Sequence, residues 1–303
     1  IGDIAVSEQL TLTTGLRYDY RAMESFPVAT ENTDRFKIDN DYHNLNGSAG
    51  ATYAFRESHY VKANLARGYR SPNLPELTQN GLHAGRYERG NPDLSAQTNY
   101  QIDVTYHLHT SRATINIAPY LNVVNDYIYL VMTDDDAPIG EGQIFQHVQN
   151  DATLWGGEIA LDIHPLNWFG LHGSYSMVNA DITDDDEGVD HPTFTPQDRL
   201  TGELKLQQRR LGFLNSPSLS IEAIHFFKQD ETGQNEAPTS AYSLLNARAQ
   251  ASLTVSNQPV ELFIIGSNLT NTSYIDHLSV TKPLGLNMIG RNIMFGLRLP
   301  FEM

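Results

Sequence analysis

The chain has 303 residues, with 20 lysines and arginines against 36 aspartates and glutamates, and it has no cysteine. The net charge of −16 disfavours a nucleic-acid partner, because phosphates are bound through cationic contacts. The missing cysteines argue against a disulfide-stapled fold and against thiolate-held zinc or iron–sulfur sites. No run of about 18 apolar residues occurs, so the sequence predicts no transmembrane helix.

Apolar and polar residues alternate along most of the chain. Tyr100, Ile102 and Val104, for example, alternate with Gln101 and Asp103. A period of two is typical of a β-strand with one apolar face. The pattern predicts about twelve strands, over 8–21, 43–56, 60–73, 96–109, 111–131, 144–164, 168–181, 196–209, 217–230, 240–255, 258–272 and 289–302.

The connections between these predicted strands alternate between very short turns and long polar loops. Two residues, Ser256 and Asn257, form one of the short turns. The long connections are 22–42, 74–95, 132–143, 182–195, 231–239 and 273–288. All of the long loops therefore lie at one end of the strands, as in an outer-membrane barrel with short periplasmic turns and long extracellular loops. The predicted fold class is all-β, an antiparallel transmembrane β-barrel to which this chain contributes about twelve strands.

Short motifs beside the long loops carry a family resemblance. The segment from Tyr69 to Pro72 ends one predicted strand, and the segment from Asn91 to Leu94 leads into the next. In this order along the chain, the motifs resemble those of TonB-dependent outer-membrane receptors. The residues that match the family motif are Tyr69, Arg70, Pro72, Asn91, Pro92 and Leu94. The C-terminal residues Gly296, Leu299 and Phe301 are similar to the assembly signal on the final strand of outer-membrane proteins.

The resemblance implies a larger protein than the sequence contains. Barrels of this family are understood to have about 22 strands and an N-terminal plug domain that contacts TonB. The sequence begins at Ile1, in mid-pattern and without a signal peptide. We therefore expect residues 1–303 to be the C-terminal part of such a barrel, with the plug and the first strands outside it.

The same resemblance implies a function. A TonB-dependent receptor of the bacterial outer membrane imports a scarce nutrient, here an iron-siderophore or haem, with energy delivered through TonB. Uptake of zinc or another metal ion is the alternative within the family. The implied partners are outer-membrane lipid, TonB acting through the missing plug, and the iron chelate, haem or metal ion. No catalytic residue and no resident cofactor are predicted.

The loop 74–95 contains the candidate ligand-binding residues. His83 lies between the two family motifs, in the interval where haem receptors of this family place an axial histidine, and an imidazole can ligate haem iron. Arg86 could pair with a carboxylate of a siderophore or haem, with Tyr87 and Glu88 beside it. The alternative is that these residues belong to an ordinary loop, since many receptors that do not bind haem keep the same flanking motifs.

A second candidate is the most acidic loop of the chain. Its possible metal ligands are Asp184, Asp185, Asp186, Asp190 and His191. Clustered carboxylates suit hard cations such as Ca²⁺, and a histidine among them suits zinc. The alternative is a solvated loop that self-repulsion keeps open.

Two function classes compete with a receptor. An outer-membrane enzyme would need an aligned catalytic set, and the sequence has no Gly-x-Ser-x-Gly nucleophile motif. A soluble all-β binding module would have shorter strands and would divide its long loops between both ends.

Overall fold

The computed structural model describes residues 1–25, 38–140, 142–183, 188–255 and 258–299. Within these ranges, sixteen strands belong to one sheet. The strands are β1 Gly2–Ala5, β2 Leu10–Ser25, β3 Ile38–Arg56, β4 His59–Arg70, β5 Asn80–His83, β6 Arg86–Arg89, β7 Gln97–His109, β8 Ala113–Asp136, β9 Gln143–Leu166, β10 Phe169–Thr183, β11 Arg199–Gln207, β12 Arg210–Leu211, β13 Leu214–Phe226, β14 Tyr242–Val255, β15 Gln258–Ser267 and β16 Asn292–Arg298. A five-residue helix, α1, spans Leu74–Thr78, and a short 3₁₀ turn spans Lys282–Leu284.

The sheet is an antiparallel meander. Its strand order is β1-β2-β3-β4-β7-β8-β9-β10-β11-β13-β14-β15-β16, so each long strand pairs with its neighbour in sequence. Every one of the twelve predicted strands has a counterpart, and short and long connections alternate as expected. Within the described ranges, β1 and β16 each pair on one side only, so the sheet has two open edges.

The structure departs from the prediction in the long loops. The predicted loop 74–95 contains α1, β5 and β6, which are too short to leave a periodic pattern. The predicted loop 132–143 shortens to 137–142, because β8 and β9 each run for 24 residues. A membrane span needs only about 9–11 residues of a tilted strand. The β8–β9 hairpin is therefore long enough to extend well beyond a bilayer.

The two faces of the sheet differ in chemistry. On one face Leu204 lies opposite Ile221, and Ile264 lies opposite Phe295. These four side chains are exposed, and similar apolar rows continue along the neighbouring strands. The other face is polar, and there Glu222 accepts a hydrogen bond of 2.8 Å from the Asn246 side chain. The alternation of apolar and polar residues thus produces one apolar and one polar surface, as a barrel wall requires. No helix in the described part of the chain is long and apolar enough to cross a membrane.

The buried apolar residues lie at the long-loop end. Val124, Val131 and Ala152 of β8 and β9 pack with Ile182 of β10 and with Val189 of the following loop. A second cluster, described below, lies under α1. Because buried apolar area stabilises a contact, these clusters hold the loops against the sheet.

We predict that Gly296→Ala weakens the pairing of β15 with β16 at the edge of the sheet. Gly296 of β16 lies opposite Phe263 of β15, and a Cβ at this position would fall inside the phenyl ring. Displacing the ring should lower the free energy of unfolding by about 1–3 kcal/mol, the usual range for overpacking. Thermal unfolding of the intact protein in detergent measures the change.

The matched control is Gly202→Ala in β11, where an added Cβ meets no atom within 4 Å. Its melting temperature should equal that of the wild type. Equal melting temperatures for the two variants would contradict the packing role of Gly296.

Candidate ligand-binding site among the long loops

The loop between β4 and β7 begins with a fixed turn. At the end of β4, Nη1 of Arg70 lies 2.8–2.9 Å from both carboxylate oxygens of Glu76, and Nη2 donates to Oε1 of Gln97. Glu76 and Asn73 also form a reciprocal capping box, with each backbone N–H donating to the other side chain at 2.8–2.9 Å. Such a box satisfies donors that a helix start leaves unpaired. Arg70 thereby joins helix α1 to β4 and β7.

The return path of the loop crosses directly over α1. The backbone N–H of Asn91 donates to the carbonyl of Glu76 at 2.8 Å. Gly90 approaches the helix so closely that a Cβ would lie 2.7 Å from backbone atoms of Leu77 and Thr78. Only glycine allows two backbones to approach to this distance.

The family-motif residues complete this junction. Leu94 packs with Leu77, Ile38 and Ile128 in the buried cluster under α1, and the side chain of Pro72 is also fully buried. Two other motif residues contact neighbouring strands through their backbones. Tyr69 pairs with Thr98 in the sheet, and the carbonyl of Pro92 accepts from Nδ2 of Asn40. The motif therefore fixes the loop to the sheet wall.

Strands β5 and β6 form a hairpin that carries the four predicted ligand-binding residues. β6 also pairs in parallel with β9, where Tyr87 lies opposite Ile144. His83 and Arg86 face each other at the tip, and the His83 side chain is 65% exposed. Tyr87 is buried, and its hydroxyl donates to Oδ1 of Asn80 at 2.8 Å. Tyr87 thus anchors the hairpin, while His83 and Arg86 lie at its surface.

Glu88 organises the surface side of this hairpin. Its carboxylate accepts from Nε of Arg86 at 2.7 Å and lies 3.1 Å from Nδ1 of His83. Burial alone would raise the pKa of Glu88, but hydrogen bonds from Arg86 and His83 outweigh burial and hold the pKa below its usual value. The guanidinium of Arg86 also lies over the ring of Phe145, 4.9 Å from its centroid. Arg86 is therefore held in position before any ligand arrives.

The predicted acidic metal site lies partly outside the described residues. The residues outside are Asp184, Asp185 and Asp186. Nδ1 of His191 lies 3.2 Å from Oδ1 of Asp181, and the carbonyl of Asp190 accepts from the backbone N–H of Ile182. Across the ranges that the structure describes, no group of three histidine or carboxylate side chains is arranged to hold a metal ion. The metal site therefore stays a prediction.

A cavity of about 590 Å³ lies among the long loops. Aromatic rings line much of it, including those of Tyr127, Phe145 and Phe194. Two cationic side chains from different loops, Arg86 and Lys282, also line it. Aromatic faces and cations together suit a ligand that carries both rings and negative charge.

Three buried side chains join the loops beside this cavity. The carboxylate of Glu236 accepts from Nζ of Lys282 at 2.6 Å and from the backbone N–H groups of Phe194 at 3.1 Å and Gly233 at 3.3 Å. Nε2 of His277 lies 3.1 Å from the same carboxylate. The side chains of Glu236, Lys282 and His277 are only 5%, 5% and 1% exposed. We call these three side chains the loop clamp.

The imidazole of the loop clamp is held neutral by its surroundings. Burial lowers the pKa of His277, and the charge of Lys282 lowers it further, against the opposing effect of Glu236 and Asp276. Nδ1 of His277 lies 2.8 Å from the hydroxyl of Thr239. Sequence reasoning missed the loop clamp, because Glu236 lies in a different loop from His277 and Lys282 and the three residues share no motif.

A further contact ties the loop 227–241 to the sheet. Oε1 of Gln234 accepts from the backbone N–H of Met132 in β8 at 2.6 Å, and Nε2 of Gln234 donates to the carbonyl of the same residue at 3.3 Å. The side-chain amide pairs with β8 as a strand residue would. The cavity wall is therefore fixed to β8 as well as to the neighbouring loops.

Residues 2–269 match the family described as TonB dependent receptor-like, beta-barrel. The chain belongs to the TonB-dependent receptor family. This receptor chain is also similar to solved structures of transport proteins. The copper transporter OprC superposes with a TM-score of 0.80 at 14% identity, and the FrpB iron transporter from Neisseria meningitidis (F5-1 variant) with a TM-score of 0.70 at 14% identity. A mutant of the ferric enterobactin receptor PfeA from Pseudomonas aeruginosa superposes with a TM-score of 0.63 at 19% identity.

These matches cover nearly all of the receptor chain but less than half of each solved structure. For OprC, FrpB and PfeA, they cover 97%, 96% and 97% of this chain and 46%, 43% and 43% of the other. At identities of 14–19%, the similarity shows a shared fold and nothing more specific. The residues of the loop clamp and of the cavity have to be interpreted from this receptor's own geometry.

We predict that Gly90→Ala detaches the loop 74–95 from the sheet. The added Cβ would meet backbone atoms on α1 that cannot rotate away, so the hydrogen bond between Asn91 and Glu76 should be lost. Hydrogen exchange at residues 74–94 should become faster, while exchange in the rest of the receptor stays unchanged. Gly81→Ala in the same loop is the control, because a Cβ there meets nothing within 4 Å. Wild-type exchange in Gly90→Ala would contradict this assignment.

We predict that Glu236→Ala releases the loops that the loop clamp joins. Removing one partner of a buried ion pair leaves Lys282 uncompensated, at a cost of about 3–5 kcal/mol. The amides of Phe194 and Gly233 should exchange much faster as a result. Lys228→Ala is the control, because the pair Lys228–Asp230 is exposed on both sides and such pairs contribute little. Equal exchange in the two variants would show that the loop clamp does not hold the loops.

Proposed function

We propose that residues 1–303 form the C-terminal part of the barrel of an outer-membrane receptor that imports a scarce nutrient with energy delivered through TonB. Family membership supports the proposal. So do the names of the similar structures, which are a copper transporter, an iron transporter and a ferric enterobactin receptor. TonB would act through a plug domain outside this sequence, and the apolar face of the sheet would contact outer-membrane lipid.

Within this class we propose an iron chelate, an iron-siderophore or haem, as the ligand. The observation that carries the choice is the cavity among the long loops, where Arg86 and Lys282 lie beside the rings of Phe145 and Phe194. Carboxylate or catecholate groups would pair with Arg86, whose side chain is 43% exposed, because Lys282 is already paired with Glu236. Flat ring systems would stack on the aromatic faces. A bare metal ion would instead need clustered donor side chains, such as those of the predicted acidic loop.

The proposed receptor performs no bond chemistry. It acts as a gated binding site, and the ligand has to bind better to the resting state than to the energised state. Arg86 suits such a site because Glu88 and Phe145 fix its guanidinium beforehand. A fixed side chain loses less conformational entropy when the ligand binds.

We predict that Arg86→Ala weakens binding of a ferric catecholate chelate about 10- to 150-fold, since a hydrogen bond to a charged group contributes about 1.5–3 kcal/mol. Quenching of intrinsic fluorescence in the full-length, detergent-purified receptor at pH 7.5 measures the affinity. Arg89→Ala is the matched control on the same strand, because Arg89 pairs with exposed Asp135 and does not line the cavity. Equal affinities for both variants would contradict the assigned site.

Parallel titrations with haem and with Zn²⁺ distinguish the ligand classes. A shift of the haem Soret band that is lost in His83→Ala would identify haem as the ligand and His83 as its axial residue. Saturable binding of Zn²⁺ alone, lost in His191→Ala, would assign the receptor to metal-ion uptake and overturn the chelate proposal.

A further inference from the structure

The loop clamp joins three loops through one carboxylate. Glu236 belongs to the loop 227–241, its partners His277 and Lys282 belong to the loop 268–291, and Phe194, whose backbone N–H it binds, belongs to the loop 188–198. Phe194 also lies under Nζ of Lys282, with 5.4 Å between Nζ and the ring centroid. Glu236, Lys282 and Phe194 line the cavity as well. Any change of charge within the loop clamp therefore acts on the cavity wall directly.

The hydrogen bonds of the loop clamp fit a neutral imidazole. Nδ1 of His277 lies 2.8 Å from the hydroxyl of Thr239, which can donate or accept, and 3.3 Å from Nζ of Lys282, which can only donate. Lys282 therefore favours the tautomer in which Nδ1 accepts and Nε2 carries the proton, 3.1 Å from the carboxylate of Glu236 but without a hydrogen bond to it. In this state the charges of Glu236 and Lys282 cancel, and the buried site is neutral.

We propose that the loop clamp is an acid-sensitive latch, in which protonation of His277 separates the three loops and opens the cavity. The inference rests on the proposed receptor function, because it assigns a regulation to the same site. A proton on Nδ1 would face the ammonium of Lys282 at 3.3 Å in a site whose side chains are at most 5% exposed. Like charges at this distance repel strongly when they are desolvated. Separating the loops relieves the repulsion, because the imidazolium then reaches water.

The other groups that face His277 do not remove this repulsion. Asp276, on the same loop, favours the protonated form, but its effect on the pKa of His277 is the smallest of those that act on it. The carboxylate of Glu236 also favours protonation of His277, but it is already paired with Nζ of Lys282 at 2.6 Å. The loop 188–198 contributes a backbone N–H and an apolar ring. Burial and Lys282 therefore dominate, and the pKa of His277 is lowered.

The sign of the pH dependence follows from this lowered pKa. In separated loops His277 would have the ordinary pKa of about 6.5, whereas in the closed loop clamp its pKa is lower. The closed state is therefore fully stable above about pH 6.5 and loses stability as the pH falls below that value. Between pH 7.5 and 5.5, the ratio of open to closed receptor should rise up to about tenfold.

Paired spin labels test the latch without any ligand. Residues 1–303 contain no cysteine. In a receptor freed of any cysteine outside them, the changes Glu231→Cys and Val280→Cys place labels on exposed positions of two of the joined loops. Electron–electron distances in the full-length receptor should be narrowly distributed at pH 7.5. At pH 5.5 a second, longer population should appear.

Two variants identify the responsible group. In His277→Gln, the amide can donate to Glu236 and accept from Thr239 but cannot take up a proton, so the distances should stay narrow at both pH values. His191→Gln, at the other histidine of these loops, should respond as the wild type does. The proposal is overturned if the wild type does not change with pH, or if His191→Gln rather than His277→Gln abolishes the change.

The test still decides if the loops of a variant do not close at pH 7.5. If His277→Gln shows separated loops at pH 7.5, the wild-type profile alone still decides, because a half-change above about pH 6.5, the ordinary pKa of a histidine, would exclude His277 as the responsible group. Failure of the latch is also distinct from failure of the receptor proposal. The label distances need no ligand, and chelate binding is measured at pH 7.5, where the loop clamp is closed in either case.

Discussion

Hydrogen bonding between each strand and the next in sequence is the constraint on which the rest of this molecule depends. Because the backbone groups of the long strands are used in the ladder, side chains alone decide what each face of the sheet contacts. Leu204, Ile221 and Ile264 lie on one face and Glu222 and Asn246 on the other. The same alternation that makes an apolar wall possible leaves no interior in which a conventional core could form.

The loops therefore have to supply their own means of staying folded. Under α1 they use an apolar cluster and an arginine–carboxylate pair, in which Glu76 serves both Arg70 and the helix start. Beside the cavity they use charge, with Glu236 and Lys282 buried together. A buried ion pair contributes less net stability than an apolar contact of the same size, but it is sensitive to the protonation of its neighbours. The two junctions therefore differ in function as well as in composition: one is permanent, and the other responds to its surroundings.

The sequence was sufficient to predict the parts of the fold that repeat. In each of the twelve long strands, the alternation of apolar and polar residues is long enough to predict the strand. The alternation of short and long connections then follows from the order of the strands along the chain. Helix α1 and strands β5 and β6 were not predicted, because four or five residues are too few to show a period. The burial of Tyr87 follows from its position in β6 and could have been predicted only once that strand was recognised. The loop clamp depends on the three-dimensional meeting of distant loops, and no local pattern encodes it.

The pairing of Gln234 with the backbone of Met132 has a consequence for how this receptor can change over time. One side-chain amide stands in for a strand residue, so the loop 227–241 is attached to β8 at a single point that does not depend on loop length. Substitutions at exposed positions of this loop that keep Gln234 and Glu236 should leave both attachments in place. The exposed surface of the loop can therefore vary in sequence while the cavity wall keeps its shape.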